Sequence, residues 1–99
     1  MVFEMAQIEV KPGMESAFER GVNQALPIFR RARGCQAVKL LKSIEQPSHY
    51  TLMITWATLE DHTVHFRQSP DFQEWRKLVG DCFASPPQVG HVQAAADGF

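Results

Sequence analysis

The sequence has little cysteine and no excess of charge of either sign. Cys35 and Cys82 lack the Cys-x-x-Cys spacing typical of redox and zinc sites, so we expect reduced thiols in a cytoplasmic protein. Ten Lys and Arg residues against eleven Asp and Glu give a net charge of −1. This balance argues against the basic surface of a nucleic-acid-binding protein.

Long hydrophobic runs are also missing. The longest apolar runs are a few residues, far short of a membrane span, and we predict no membrane partner. The first ten residues carry Glu4 in an apolar stretch and have no basic lead, which is unlike a signal peptide. No glycine-rich phosphate loop, dinucleotide fingerprint or Ser/His/Asp pattern occurs.

The 99 residues, of which 44% are hydrophobic, are typical of one soluble domain. The stretch from Val2 to Val10 alternates as a strand does, with apolar residues on both faces. From Met14 apolar residues recur every three or four positions, which predicts an amphipathic helix. This helix ends at "RRARG", where Gly34 suits a left-handed backbone.

The remaining segments predict a hairpin, a broken helix and a last strand. Strands from Cys35 to Ile44 and from His49 to Trp56 flank the turn "EQPS". A helix starts near Thr58, stops at Ser-Pro, and restarts with Ser69 as N-cap and Pro70 as its first residue. "QVGHVQAAA" is a last strand, and the single domain, residues 1–99, has a tail from 93 to 99.

The resulting order, strand-helix-strand-strand-helix-strand, predicts a ferredoxin-like α+β fold with a four-stranded antiparallel sheet. In this fold the helices cover one sheet face. Because the strands are apolar on both faces, we expect the open faces of two copies to pair in a homodimer.

Several stretches carry a resemblance to a known family: "RGCQAVKL", "YTLMITW", "TLEDHTVHFRQSPDFQEW" and "PPQVGHV". With them the chain resembles the antibiotic biosynthesis monooxygenase family of dimeric α/β-barrel proteins. The resemblance implies a cofactor-independent monooxygenase, an oxidoreductase that oxidises a small aromatic quinol or polyketide phenol with O2. Without a cofactor, the electrons would come from the substrate. The alternative is a non-catalytic dimeric module that binds a small ligand on the same fold.

One branch of similar fold degrades haem, and it relies on an Asn in the first strand and a His after Ser-Pro. The branch also relies on a Trp in the second-half helix, whereas here Ala6 stands at the first-strand position and Phe66 and Arg76 stand near the break. The resemblance therefore does not favour haem degradation.

The candidate site surrounds the Ser-Pro break, in a pocket that the resemblance implies between sheet and helices. His65 matches the histidine that the family often carries before Ser-Pro, and an imidazole can take a phenol proton at neutral pH. The alternative is that His65 only packs against Trp56 or Trp75. Tyr50 and Arg76 are further candidate hydrogen-bond donors. The predicted substrate-binding residues, each of which could equally belong to the core, are Trp56, Phe66, Phe72, Trp75, Phe83 and His91.

A three-histidine metal site from His62, His65 and His91 is the remaining possibility. The spacing matches no metal motif such as His-Glu-x-x-His. We therefore predict no metal and no other cofactor.

Overall fold

The computed structural model describes all 99 residues, in four strands and two α-helices joined by shorter helical turns. The sheet has the order β2-β3-β1-β4, and every neighbouring pair is antiparallel. The predicted ferredoxin-like fold is confirmed. The strands are β1 (Val2–Glu9), β2 (Cys35–Lys42), β3 (His49–Trp56) and β4 (Gln88–Val92). The helices are α1 (Glu15–Arg30), a π-helix (Asp61–Phe66), α2 (Pro70–Val79) and a 3₁₀ turn (Gly80–Cys82).

The helices cover one face of the sheet. Strand alternation turns Ala6 and Ile8 toward the helices, and both are buried. Between the layers lies a core whose largest fully buried side chains include Phe18, Phe29 and Trp56. A bidentate ion pair joins the end of α1 to α2: Nε and Nη2 of Arg31, the residue after α1, each lie 2.8 Å from an oxygen of the Asp71 carboxylate.

The opposite face of the sheet carries no helix. Phe3 and Met5 of β1 point to this side, with Met53 beside Met5 and Val92 beside Phe3 in the neighbouring strands. Phe3, Met5 and Met53 are half-buried and Val92 is exposed. The open face therefore carries an apolar patch, as expected from the sequence, beside the polar pair Gln7 and Thr51.

The predicted break of the second helix is present, but its N-terminal piece is a π-helix. The backbone N–H of Arg67 donates to the carbonyl of His62, which is the i→i+5 bond of that helix type, at 3.2 Å. Ser69 and Pro70 open α2 as predicted. The Ser69 hydroxyl, however, donates to the carbonyl of Phe66 at 2.6 Å and does not cap α2.

Gly34 has the predicted left-handed backbone, with φ 75°, and turns the chain from α1 into β2. The Asp61 side chain occupies the space in which a Cβ on Gly34 would stand. The hydroxyl of Thr58 accepts a hydrogen bond from the backbone N–H of Asp61 at 3.2 Å. These contacts fix the start of the π-helix over the end of β3.

Two further expectations bear on the ends of elements and on membranes. The last strand ends at Val92, so the predicted continuation through "QAAA" is wrong, and residues 93–99 form neither helix nor strand. None of the helices combines the length and apolar character needed to span a lipid bilayer.

Candidate active site

A buried carboxyl, that of Glu4, lies in the middle of the sheet face that the helices cover. Glu4 shares this face of β1 with Ala6 and Ile8, and its side chain is almost completely buried. In the strand register it pairs with Ile54 on one side and His91 on the other. The sheet therefore brings Glu4 and His91 together without any contribution from a loop.

Trp56, at the end of β3, is the hydrogen-bond partner of this carboxyl. Trp56 pairs with Val2, which places it diagonally across from Glu4 on the same face. Its indole Nε1–H donates to Oε1 of Glu4 at 3.0 Å, and the Trp56 side chain is fully buried. The indole therefore fixes the position of a carboxyl that has almost no access to water.

His62 descends from the π-helix onto Glu4 and Trp56. Its ring stacks on the indole of Trp56, with 5.3 Å between centroids and 15° between planes. Its Nε2 lies 3.3 Å from Oε1 of Glu4, and its Nδ1 lies 2.8 Å from Nε2 of His91. The four side chains form one connected group, which we call the Glu4–His62 cluster: Glu4, Trp56, His62 and His91.

Burial determines the charge state of this cluster. It raises the pKa of Glu4 from the ordinary 4.5 to about 7, although the Trp56 hydrogen bond and the charge of Arg67 act in the opposite direction. Burial, with smaller effects from Arg67 and His91, lowers the pKa of His62 from 6.5 to about 4. The pKa of His91 is also lowered, by burial first and by Arg67 second.

The distance between Glu4 and His62 would suit an ion pair, but these pKa values oppose one. Because the carboxyl holds its proton more tightly than the imidazole, the stable form is a neutral pair in which protonated Glu4 faces Nε2 of His62. The tautomer of His62 with its proton on Nδ1 is compatible with both contacts, since that N–H can donate to Nε2 of His91. Contacts of 3.3 Å and 2.8 Å thus connect Glu4 to His91 through the His62 ring.

A cavity of about 640 Å³ opens beside the cluster, between the sheet and the second half of the chain. Glu4 and His62 line it on one side. Much of the remaining wall is apolar, and it includes Phe72, Trp75 and Phe83. A volume of this size and an apolar lining with a few polar groups are typical of small-molecule sites.

The predicted wall residues have three different locations. Phe72, Trp75 and Phe83 line the cavity as expected. Trp56 and His91 do not line it but contact Glu4 and His62, which do. Phe66 is buried in the core, where its ring packs against Phe29, Trp56 and Phe72.

Of the two predicted hydrogen-bond donors, only Arg76 lies at the cavity. Arg76 lines the cavity, with its guanidinium carbon 5.9 Å from the centroid of the Phe72 ring. Tyr50 lies elsewhere, because its hydroxyl donates to the Glu19 carboxylate at 2.6 Å.

The expectation that His65 faces the cavity is wrong. His65 is exposed and does not line the cavity, whereas His62, three residues earlier, is buried beside Trp56. The π-helix accounts for this, because it turns less per residue than an α-helix, so that residues three apart, which lie near one face of an α-helix, point to different sides. His62 and Phe66 therefore point inward together, and His65 points outward. The three-histidine set that was considered for a metal does not converge for the same reason.

Two residues of the site were not predicted. Glu4 had a signal in the sequence, since strand alternation places this acidic residue on the same face as Ala6 and Ile8. Arg67, which lines the cavity and whose charge affects the pKa values of Glu4, His62 and His91, follows the π-helix. No pattern in the sequence indicates that this exposed arginine borders the cavity.

Comparison with known proteins establishes the family. A family model described as antibiotic biosynthesis monooxygenase matches residues 1–78, more than three quarters of the chain. The chain belongs to this family. The resemblance predicted from the sequence is thus confirmed.

Individual relatives agree with this assignment. Over 93 residues the chain is 40% identical to the uncharacterised protein YczJ of Bacillus subtilis, covering 94% of this chain and 98% of YczJ. A crystal structure from Bordetella bronchiseptica, classed among the antibiotic biosynthesis monooxygenases, is 59% identical, with a TM-score of 0.95 over 96% of this chain and 97% of that one. A mutant of SnoaB, a cofactor-independent oxygenase from Streptomyces nogalater, is 17% identical, with a TM-score of 0.83 and coverage of 97% and 94%. At that identity the likeness to SnoaB shows a shared fold alone.

Proposed function

We propose that the protein is a cofactor-independent monooxygenase that oxidises a small aromatic phenol or quinol with O2. The observation that carries the proposal is Glu4: a buried carboxyl, with a pKa near 7, that faces an apolar cavity. A general base is most effective when its pKa lies near the working pH. Membership of the antibiotic biosynthesis monooxygenase family and the fold shared with a cofactor-independent oxygenase support the same activity.

The first step is removal of the substrate's phenolic proton. The Glu4 carboxylate, which is substantially populated at neutral pH, takes the proton from a hydroxyl bound in the cavity. The resulting phenolate is electron-rich enough to reduce O2 directly. Here Glu4, and not His65, has the role of base.

The second step returns Glu4 to its ionised form. The proton passes from Glu4 to Nε2 of His62, while the proton on Nδ1 of His62 moves to Nε2 of His91. Since His91 is only partly buried, it can release a proton to water. His62 becomes the other tautomer and carries no net charge after the transfer, which suits its low pKa.

The overall reaction balances without an added reductant. A quinol and O2 give a hydroxylated quinone and one water. One oxygen atom bonds to a ring carbon, the other leaves as water, and the substrate supplies four electrons and both hydrogens of that water. The protein supplies orientation, a largely apolar cavity and the proton acceptor.

Oxygen uptake tests the proposal. Purified protein would be incubated in an oxygen electrode with hydroquinones, naphthalenediols and anthrones, with no cofactor added and with autoxidation measured in parallel. We expect saturable uptake above autoxidation for at least one of these classes, with one O2 consumed per product formed. Saturable binding of these compounds with no uptake would instead support the non-catalytic binding module.

We also propose that two copies pair through the sheet face that no helix covers. Phe3, Met5 and Met53 lie half-buried on this face, and Val92 is exposed at 53%. An apolar sheet face of this kind is stabilised by a second copy, because the same patch on both copies is self-complementary under twofold symmetry. Light scattering should give twice the chain mass at micromolar concentration, and a folded protein of monomer mass would contradict the pairing.

A further inference from the structure

The cavity carries two positive charges and no ionised partner for either. Four charged or titratable residues line it: Glu4, His62, Arg67 and Arg76. Burial keeps His62 neutral and holds Glu4 largely protonated up to about pH 7. The two guanidinium groups therefore determine the charge of the cavity below that pH.

Neither arginine has a carboxylate of the protein to neutralise it. The six ion pairs of the structure include those of Arg31 and Arg33 but not Arg67 or Arg76. An arginine on a protein surface commonly meets an acidic side chain or only water. Arg67 and Arg76 are also solvent-exposed, but both border the same largely apolar cavity.

Arg67 is solvent-exposed, and its charge is a smaller influence than burial on the groups of the site. It lowers the pKa values of Glu4, His62 and His91, the three titratable groups of the Glu4–His62 cluster. Arg67 borders the same cavity as Glu4 and His62, which is consistent with this effect.

Arg76 is held at the wall by an aromatic side chain. Its guanidinium carbon lies 5.9 Å from the centroid of the Phe72 ring, and Phe72 itself lines the cavity. A guanidinium above a ring keeps its N–H donors at its edge, where they remain available for a carboxylate. Arg76 and Phe72 thus combine an aromatic surface with an anion-binding edge.

We propose that the cavity selects an aromatic substrate that bears a carboxylate, with its ring against Phe72 and Trp75 and its carboxylate paired with Arg67 and Arg76. The planar guanidinium matches a carboxylate through two parallel N–H···O bonds. The reacting hydroxyl lies toward Glu4, away from the carboxylate. The inference rests on the proposed function for the identity of that hydroxyl, whereas its charge preference concerns binding alone.

Calorimetric titration with two ligands of nearly equal shape tests the charge preference. The probes are 2-naphthoate and 2-naphthamide, which differ in charge and have no phenolic hydroxyl to oxidise. We expect wild-type protein to bind the naphthoate at least about tenfold more tightly, which corresponds to about 1.4 kcal/mol. Added salt should weaken the binding of 2-naphthoate and leave the affinity for 2-naphthamide unchanged.

Variants assign the preference to the two arginines. In the double variant Arg67→Gln/Arg76→Gln the two ligands should bind within about threefold of each other, and each single variant should lie between. Arg20→Gln removes an exposed arginine of α1 that does not line the cavity, and it should retain the wild-type preference.

The outcomes are separate from those of the oxygen assay. Equal affinity for the two ligands in the wild type, no measurable binding of either, or a preference that survives in the double variant would overturn the inference. If the preference holds while no phenol consumes oxygen, the charge selection stands and the monooxygenase activity fails. If neutral quinols are oxidised and the two naphthalene ligands bind equally, the monooxygenase activity stands and the charge selection fails.

Discussion

Oε1 of Glu4 lies 3.3 Å from Nε2 of His62, and it accepts the indole N–H of Trp56 at 3.0 Å. One oxygen atom therefore meets both an imidazole nitrogen and a fixed N–H donor, in a place that water barely reaches. The proton of this contact resides on the carboxyl, since burial moves the two pKa values in opposite directions. The predictions for Glu4 and His62 depend on the position of that proton.

Replacing Glu4 by Gln should abolish the base and keep its shape. We expect oxygen uptake on an accepted phenol to fall by roughly a hundredfold or more in Glu4→Gln, the usual effect of losing a positioned base. The wild-type rate should rise with pH through about 7, because only the ionised carboxyl takes a proton, and the variant should lose this dependence.

Glu9→Gln is the matched control for that experiment. Glu9 belongs to the same strand but is exposed on its other face, so its variant should keep both the rate and the pH profile. A Glu4→Gln protein that oxidises the phenol at the wild-type rate would remove Glu4 from the mechanism.

His62 and His65 should differ sharply although they are three residues apart. His65→Ala removes an exposed side chain outside the cavity, and the rate should change by less than about twofold. Breaking the proton route in His62→Gln should lower turnover by roughly tenfold or more. His91→Gln interrupts the same route at its partly exposed end, so it separates a catalytic effect from loss of the fold.

Rates for these variants should be measured per folded molecule, with circular dichroism as the check on folding. Loss of activity in His65→Ala, with His62→Gln and His91→Gln unaffected, would restore the original assignment of His65 as the base.

The outcome for these two histidines shows where sequence reasoning succeeds and where it stops. The helix break at Ser69 and Pro70 was predictable because proline chemistry acts locally. The strand faces were predictable for the same reason, since alternation of side chains is a backbone property. That rule also places Glu4 inside, so its burial could have been inferred.

The inward histidine could not be predicted in this way. Which of His62 and His65 faces the sheet depends on the π-helical turn, whose start is set by Asp61 packing against Gly34. Those two residues are far apart in the sequence, and an α-helical repeat places His62 and His65 near one face, so it does not choose between them. The aromatic positions show a similar division: Phe72 and Trp75 lie on α2 as expected, but the position of Phe66 in the core follows from the packing of α1.

The pH dependence of stability should separate the contributions of Glu4 and His62. The folded pKa of Glu4 lies above 4.5, so its contribution to stability is complete below pH 4.5 and is lost as pH rises through about 7. The folded pKa of His62 lies below 6.5, so its contribution is complete above pH 6.5 and is lost as pH falls through about 4. Between pH 4.5 and 6.5 the Glu4 contribution to the free energy of unfolding falls with pH while the His62 contribution rises. The two pH dependences therefore largely cancel.

Glu4→Gln should remove the Glu4 contribution to the pH dependence of the free energy of unfolding. The free energy of unfolding of the variant should then rise from pH 4 to 6.5. The difference in this free energy, variant minus wild type, should increase between pH 4.5 and 7 by up to about 3 kcal/mol. Urea denaturation at each pH measures both. A difference between the two proteins that is constant from pH 4 to 9 would mean that Glu4 titrates normally in the folded state.

The last prediction concerns the glycine that positions the π-helix. Gly34→Ala imposes two costs: a left-handed backbone at φ 75° and a Cβ where the buried Asp61 side chain stands. Gly13 has a similar φ of 89° but an open space around it, so Gly13→Ala measures the backbone cost alone. We expect Gly13→Ala to lose about 1 kcal/mol of unfolding free energy. Gly34→Ala should lose at least about 1 kcal/mol more, because Asp61 must move.

Displacement of Asp61 should also shift His62, its neighbour in the chain, away from Glu4. Oxygen uptake per folded molecule should therefore fall in Gly34→Ala and remain unchanged in Gly13→Ala. Equal losses of stability in the two variants, with equal activities, would show that Asp61 and Gly34 do not determine the register of the π-helix.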